Sequence, residues 1–181
     1  MKRNATLTIA TITLITLASC GETKNKQDAK ISTPEEIETE KENMAEIADA
    51  SFSDGMTGKV FHNYQQIRMA LINSDSNEVT MAAGNLAESF TEEREDMKSM
   101  AMAMAEADDI EKQRELFSHF TANVEPLFKD ALSEGTIYKQ FCPMAFEGKG
   151  GYWLSNAEEI RNPYYGQKML KCGKVTEKIE K

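Results

Sequence analysis

Apolar residues return every three or four positions along most of the second half of this chain, and that spacing predicts helices. Val60, Tyr64, Ile67 and Leu71 make a first stripe that runs out at the turn signal Asn73-Ser74-Asp75. From a Ser76 cap, Val79, Ala83, Leu86 and Phe90 make a second stripe. It continues past the charged run Glu92 to Asp96 as Met97, Met100 and Met104, which predicts one long helix or two with a kink. Asp108 or Asp109 can cap a third helix, in which Ile110, Phe117, Phe120, Val124, Leu127 and Ala131 follow at steps of three, four or seven, ending at Gly135. Pro126 lacks an amide proton, so a bend is expected in its last two turns.

After Gly135 the period changes. Ile137, Lys139 and Phe141 alternate with Tyr138 and Gln140 and then meet Pro143, Gly148, Gly150 and Gly151, which predicts a strand and a turn. Tyr152-Trp153-Leu154 can pair back as a second strand, and Ser155 with Glu158 has the spacing of a capping box for one short helical turn. Asn162-Pro163-Tyr164-Tyr165-Gly166 forces a loop that delivers Met169 and Cys172. The expected fold is mainly α, a three- or four-helix bundle with a C-terminal glycine-rich module containing a short β-hairpin.

The N-terminal third follows a different rule. Lys2 and Arg3 precede an uncharged stretch, Ala5 to Ala18, too short to span a bilayer but suited to export, so residues 1–19 read as a signal peptide. Leu17-Ala18-Ser19-Cys20 resembles the lipobox of bacterial lipoproteins, which implies lipidation of Cys20 and a membrane anchor. Gly21 stands where an inner-membrane retention signal usually has Asp, which favours the outer membrane, facing the periplasm. Residues 20–55 carry few large apolar side chains and read as a disordered or solvated tether, with Thr33-Pro34-Glu35-Glu36 a possible helix start. Residues 56–181 are enough for one helical domain. Loss of Lys2 and Arg3 takes the formal net charge from -9 to -11, which excludes nucleic acid as a partner.

With Cys20 given to lipid, the last forty residues hold the candidate chemistry. Cys142-Pro143-Met144 and Met169-Leu170-Lys171-Cys172-Gly173 place two cysteines and two methionines at the ends of one glycine-rich module. Residues two apart share a face of a strand, and residues three apart can share a face of a turn, so four sulfurs can converge. Thiolate and thioether are soft ligands that select Cu(I), with silver as its mimic, whereas Zn(II) sites draw on Cys and His. The competing reading is equally open: a Cys142–Cys172 disulfide that staples the lobe, with Met144 and Met169 packed beneath it. His62 and His119 are candidate additional ligands, though a lone helical histidine is more often a surface or packed residue. Met97, Met100, Met102 and Met104 invite a copper reading, but their helical spacing with Leu86 and Phe90 is what a core requires. Tyr152, Trp153, Tyr164 and Tyr165 read as packing of the terminal lobe.

No Ser-His-Asp arrangement, P-loop, G-x-G-x-x-G, H-E-x-x-H or Cys-x-x-Cys is present, which argues against an enzyme. The run Phe141 to Ala145, Trp153-Leu154-Ser155, Glu159 to Gly166 and Met169 to Gly173 resembles an uncharacterised helical domain family. That family is found in bacterial lipoproteins and at the C-terminus of membrane-fusion (adaptor) subunits of RND heavy-metal efflux pumps. The resemblance extends upstream through Gln113-Arg114 and Phe117 to about Val60. It implies copper or silver handling, with Cys142, Met144, Met169 and Cys172 on the family pattern and His119 where that pattern is looser. The adaptor's barrel and hairpin domains are missing from this chain. The expected function is a periplasm-facing lipoprotein that sequesters Cu(I) or passes it to efflux components; the alternative is a disulfide-stapled interaction module for an envelope partner, without metal.

Overall fold

The computed structural model describes residues 50–181. The signal peptide, Cys20 and most of the tether therefore lie outside the described residues. Strand β1 (Ala50–Phe52) is followed by helices α1 (Gly55–Asn73), α2 (Ser76–Glu88), α3 (Glu95–Ala105) and α4 (Ile110–Ala131), with a single 3-10 turn at Glu92–Arg94. Strand β2 (Leu132–Cys142), a short turn α5 (Ala145–Gly148), β3 (Gly151–Ser155), a 3-10 turn at Gly166–Met169 and β4 (Lys174–Glu180) complete the chain.

Helices α1, α2 and α4 begin where an aspartate can accept from an orphan amide, whereas α3 starts after Arg94 with no side-chain cap. Asp54 accepts from Thr57 N at 2.8 Å, Asp75 from Glu78 N at 3.0 Å and Asp109 from Lys112 N at 2.8 Å. The second cap is thus Asp75 rather than Ser76. Helix α1 stops where Ser74 turns left-handed at φ 57. The Val79-to-Met104 stripe forms two helices rather than one, because Thr91 to Arg94 breaks the ladder between them. Helix α4 runs through Pro126 to Ala131, and the chain becomes strand at Leu132, before Gly135.

The sheet corrects the fold expectation. Strand β2 is eleven residues long and pairs antiparallel with all three others: with β1 at Ala50↔Gly135, with β3 at Cys142↔Gly151, and with β4 at Phe141↔Lys174. The domain is therefore a mixed α+β fold with a four-stranded antiparallel sheet, not a mainly helical bundle bearing one hairpin. Two strands had no visible signal. Strand β1 is three residues at the end of what reads as tether, and β4 is Lys-Val-Thr-Glu-Lys-Ile-Glu, largely solvated, so its polar majority hides its pairing. The predicted helical turn after Ser155 is absent; the Ser155 hydroxyl instead accepts from Ala157 N at 3.0 Å in a local turn.

One core joins the helices to the sheet. Phe61, Tyr64, Phe117, Phe120 and Phe128 stack or meet edge to face at its centre, the half-buried Phe52 packs against them, and Ile137, Trp153, Leu154 and Cys142 close it from the sheet side. Tyr64 is fully buried, and its hydroxyl shares a hydrogen bond with Thr121 at 2.8 Å while accepting from Leu154 N at 3.0 Å. Helices α1 and α4 are thereby pinned to β3, the strand beside Cys142.

Candidate functional site

Cys142 ends β2 and is completely buried, opposite Gly151 of β3. Cys172 lies just ahead of β4 and is partly exposed. Both are thiols, with Sγ to Sγ 3.3 Å. The strand register explains the meeting: Phe141 pairs with Lys174, so the chain arriving through Cys172 and Gly173 runs alongside the end of β2.

The loop holding Cys172 is fixed by one buried side chain. Asn162 donates from Nδ2 to Cys172 O at 2.7 Å and from its amide to Leu170 O at 2.8 Å, while Oδ1 accepts from Tyr164 N at 2.8 Å. On the other cysteine's side, the Tyr165 hydroxyl donates to Met144 O at 2.6 Å. The Tyr164 hydroxyl donates to Tyr152 O, and its ring meets Trp153 and Phe146 edge to face. Glycine is required between these aromatics: a Cβ on Gly151 would lie 2.6 Å from the Tyr164 ring, and one on Gly173 would lie 2.8 Å from Trp153. The sequence marks Asn162 and Tyr165 as parts of the loop that delivers Cys172, and Gly151 and Gly173 as parts of a glycine-rich module, but not the bonds and close approaches they make. The Asn-Pro step was the available signal, since an asparagine there commonly bonds the backbone two residues on.

The hydrogen bond to Cys142, partial burial and the Cys142 charge together push the Cys172 thiol above its ordinary range. A soft cation that binds Cys172 would therefore have to displace its proton. The separation stands between two chemistries. A disulfide needs about 2.05 Å, so the sulfurs would close by more than an ångström. Two bonds of about 2.3 Å to one tetrahedral metal put sulfurs about 3.8 Å apart, so they would open by about half an ångström.

The other predicted residues distribute unequally. Met144 is 52% exposed and Met169 is 37% exposed, so neither is packed beneath the cysteines. Met144 does not share a strand face with Cys142 as spacing suggested, because β2 stops at Cys142 and Met144 sits at φ -87, ψ -15 in the turn. Met169 belongs to the turn that delivers Cys172, its carbonyl accepting from Cys172 N at 2.9 Å. Met97 and Met104 are core residues and Met100 packs against them, whereas Met102 is exposed. His62 is exposed on α1. His119 is exposed on α4, where with Glu115, Ser118, Phe146, Lys149 and Gly150 it lines a cleft of about 260 Å³ beside the β2–β3 turn. Among the described residues no three of His, Cys, Asp or Glu group closely enough to hold a metal ion. Among the described residues, too, no helix is long and apolar enough to cross a membrane.

Residues 60–135 match a family described as protein of unknown function (DUF3347). No curated protein and no solved structure matches the chain. The DUF3347 match runs from α1 through the four helices into the start of β2, which agrees with the expected likeness to an uncharacterised domain family. It ends before Cys142, so the sulfur module lies beyond the matched stretch.

Proposed function

We propose that this domain binds Cu(I), or silver in its place, as cargo, with Cys142 and Cys172 as thiolate ligands and Met144 and Met169 as weaker thioether partners. The observation that carries the reading is a reduced dithiol at 3.3 Å whose nearest methionines along the chain are exposed rather than packed. Burial is what a methionine normally gains from folding, and a thioether left in solvent two or three residues along the chain from a thiol is available to a soft cation. Thioethers are neutral and easily displaced, so the mixture suits a carrier that gives metal up by ligand exchange. With Cys20 lipidated, the carrier would be tethered to the membrane on the periplasmic side, sequestering copper or passing it to efflux components. His119 and His62, both exposed, are left out of this ligand set.

The test uses the full chain carrying Cys20→Ser, reduced and titrated with Cu(I) against a chromophoric chelator. Uptake of one ion per chain that vanishes in Cys142→Ser/Cys172→Ser, and weakens without vanishing in Met144→Leu/Met169→Leu, is expected. No uptake by the parent overturns the reading. The short sulfur separation also favours a second function, a disulfide-stapled interaction module. That reading requires a bond that persists under mild reductant, and unchanged behaviour in the methionine variant.

A further inference from the structure

The two sulfurs are in contact but are not equivalent. Cys142 is sealed, with no exposed surface, while Cys172 is partly open to solvent. An oxidant arriving from solvent therefore meets Cys172 first, and the partner needed to complete a disulfide is already 3.3 Å away. The surroundings of Cys172 also have a sign. In a chain of formal net charge -9, Lys168, Lys171 and Lys174 stand four residues before, one before and two after it, all exposed. Lys171 is paired with Glu159, so Lys168 and Lys174 supply the net positive charge of this edge. Charges of that kind favour anionic reactants within about a Debye length, about 10 Å.

We propose that Cys172 is the first point of attack for an anionic disulfide and Cys142 its resolving thiol, so that the dithiol is converted to a closed form with no thiolate to offer a metal. In the first step the Cys172 thiol gives up its proton, its sulfur attacks one sulfur of the oxidant, the oxidant's S–S bond breaks and one thiolate leaves and is protonated. In the second, Cys142 gives up its proton and attacks Cys172 Sγ; the Sγ–Sγ bond forms and the second thiolate leaves and is protonated. Two protein thiols and one disulfide become one protein disulfide and two small thiols, two electrons passing to the oxidant. The loop need not be rebuilt, because Asn162 fixes the Cys172 backbone and closure is a side-chain movement of just over an ångström. The metal consequence rests on the copper reading above; the thiol chemistry does not.

The experiment exposes the full Cys20→Ser chain to oxidised glutathione, or to cystamine as a cationic disulfide, and follows adducts and free thiols by mass spectrometry. Expected are a glutathione adduct on Cys172 in Cys142→Ser, none on Cys142 in Cys172→Ser over the same time, and in the parent an adduct that gives way to an internal disulfide. Glutathione disulfide should react roughly tenfold faster than cystamine, and Lys168→Glu/Lys174→Glu should remove that preference. Modification of Cys142 first, a lasting adduct without internal bond, or equal rates for the two probes would each overturn the proposal. Cu(I) is then offered to the oxidised chain: no uptake until reductant is added is the expected result, and uptake while oxidised overturns the metal consequence alone. A reduced chain that takes no Cu(I) sinks the copper reading and leaves the thiol results standing.

Discussion

Gly166 is where the terminal loop touches two helices at once. Its φ is +54, and a Cβ placed there would lie 2.7 Å from Ile72 O, 2.8 Å from Ser74 Oγ and 3.2 Å from Arg114 Nη2. The nearest of these is backbone, which cannot swing aside. Gly166→Ala should therefore combine the left-handed penalty of about 1 kcal/mol with overpacking of about 1–3 kcal/mol. Gly84 is the contrast, since it sits inside α2 with nothing within 4 Å of a Cβ. Gly84→Ala should stabilise by about 0.5–1 kcal/mol, because alanine removes freedom from the unfolded chain and suits the helix. Urea midpoints of the two variants should move in opposite directions. Equal shifts would mean that the loop yields at Gly166 and is not clamped as described.

At the scale of elements, Arg114 is what fastens the loop to the helices. It is buried on α4 and donates from Nε to Pro163 O at 3.0 Å and from Nη2 to Leu71 O at 3.2 Å and Ser74 Oγ at 3.0 Å, while Nη1 reaches Glu111 at 2.7 Å. It thus satisfies a carbonyl at the end of α1 and one in the loop that carries Asn162. Arg114→Met keeps the apolar stem but strands the Pro163 carbonyl, while Leu71 O keeps the Ser74 amide at 3.1 Å, and it should cost about 2 kcal/mol. Glu111 is 72% exposed on its side chain, so Glu111→Gln should change stability by less than about 0.5 kcal/mol in the same chemical denaturation. This division also marks how far the sequence could be read. Helices α1, α2 and α4 were visible because their burial follows the 3.6 period, and the β2–β3 hairpin because Ile137 to Phe141 alternates before a glycine turn. Strand β4 was not, because Val175 and Ile179 are half-buried among five exposed residues, and β1 is shorter than any periodicity test. The cysteines were legible by spacing. What sets them 3.3 Å apart was not, because Asn162, Tyr165 and Gly173 act through backbone carbonyls and close approach, which leave no pattern in composition.

Across the described domain, one charge network couples α4 to β2, which ends at Cys142, and to β4, which begins two residues after Cys172. Glu125 of α4 accepts from Lys129 at 2.7 Å and from Lys139 of β2 at 2.8 Å, and Lys129 also reaches Glu177 of β4 at 2.9 Å. Only 15% of the Glu125 side chain is exposed. Burial by itself would raise its carboxyl, but the hydrogen bonds and charges of Lys129 and Lys139 outweigh that and hold it below the ordinary 4.5. A carboxyl whose folded pKa is depressed contributes stability that is fully present above its unfolded pKa and is lost as pH falls through the folded one. Lys129 runs the other way: hydrogen bonds to Glu125 and Glu177 raise it, so its contribution is intact below the ordinary lysine value and is lost as pH rises through the raised one. The network should therefore hold across neutral pH and fail first in acid. Glu125→Gln should cost about 1 kcal/mol at pH 7 and progressively less below about pH 4.5, so that its denaturation curve and the parent's converge. Asp54, Glu115 and Glu159 are also held below their ordinary values, so the parent and the variant will both lose stability in acid. The difference between them isolates Glu125. A constant difference from pH 7 down to 3 would show that the glutamate acts by packing rather than by charge. The coupling of α4 to β2 and β4, and with it the support of the Cys142–Cys172 pair, would then have to come from the apolar core alone.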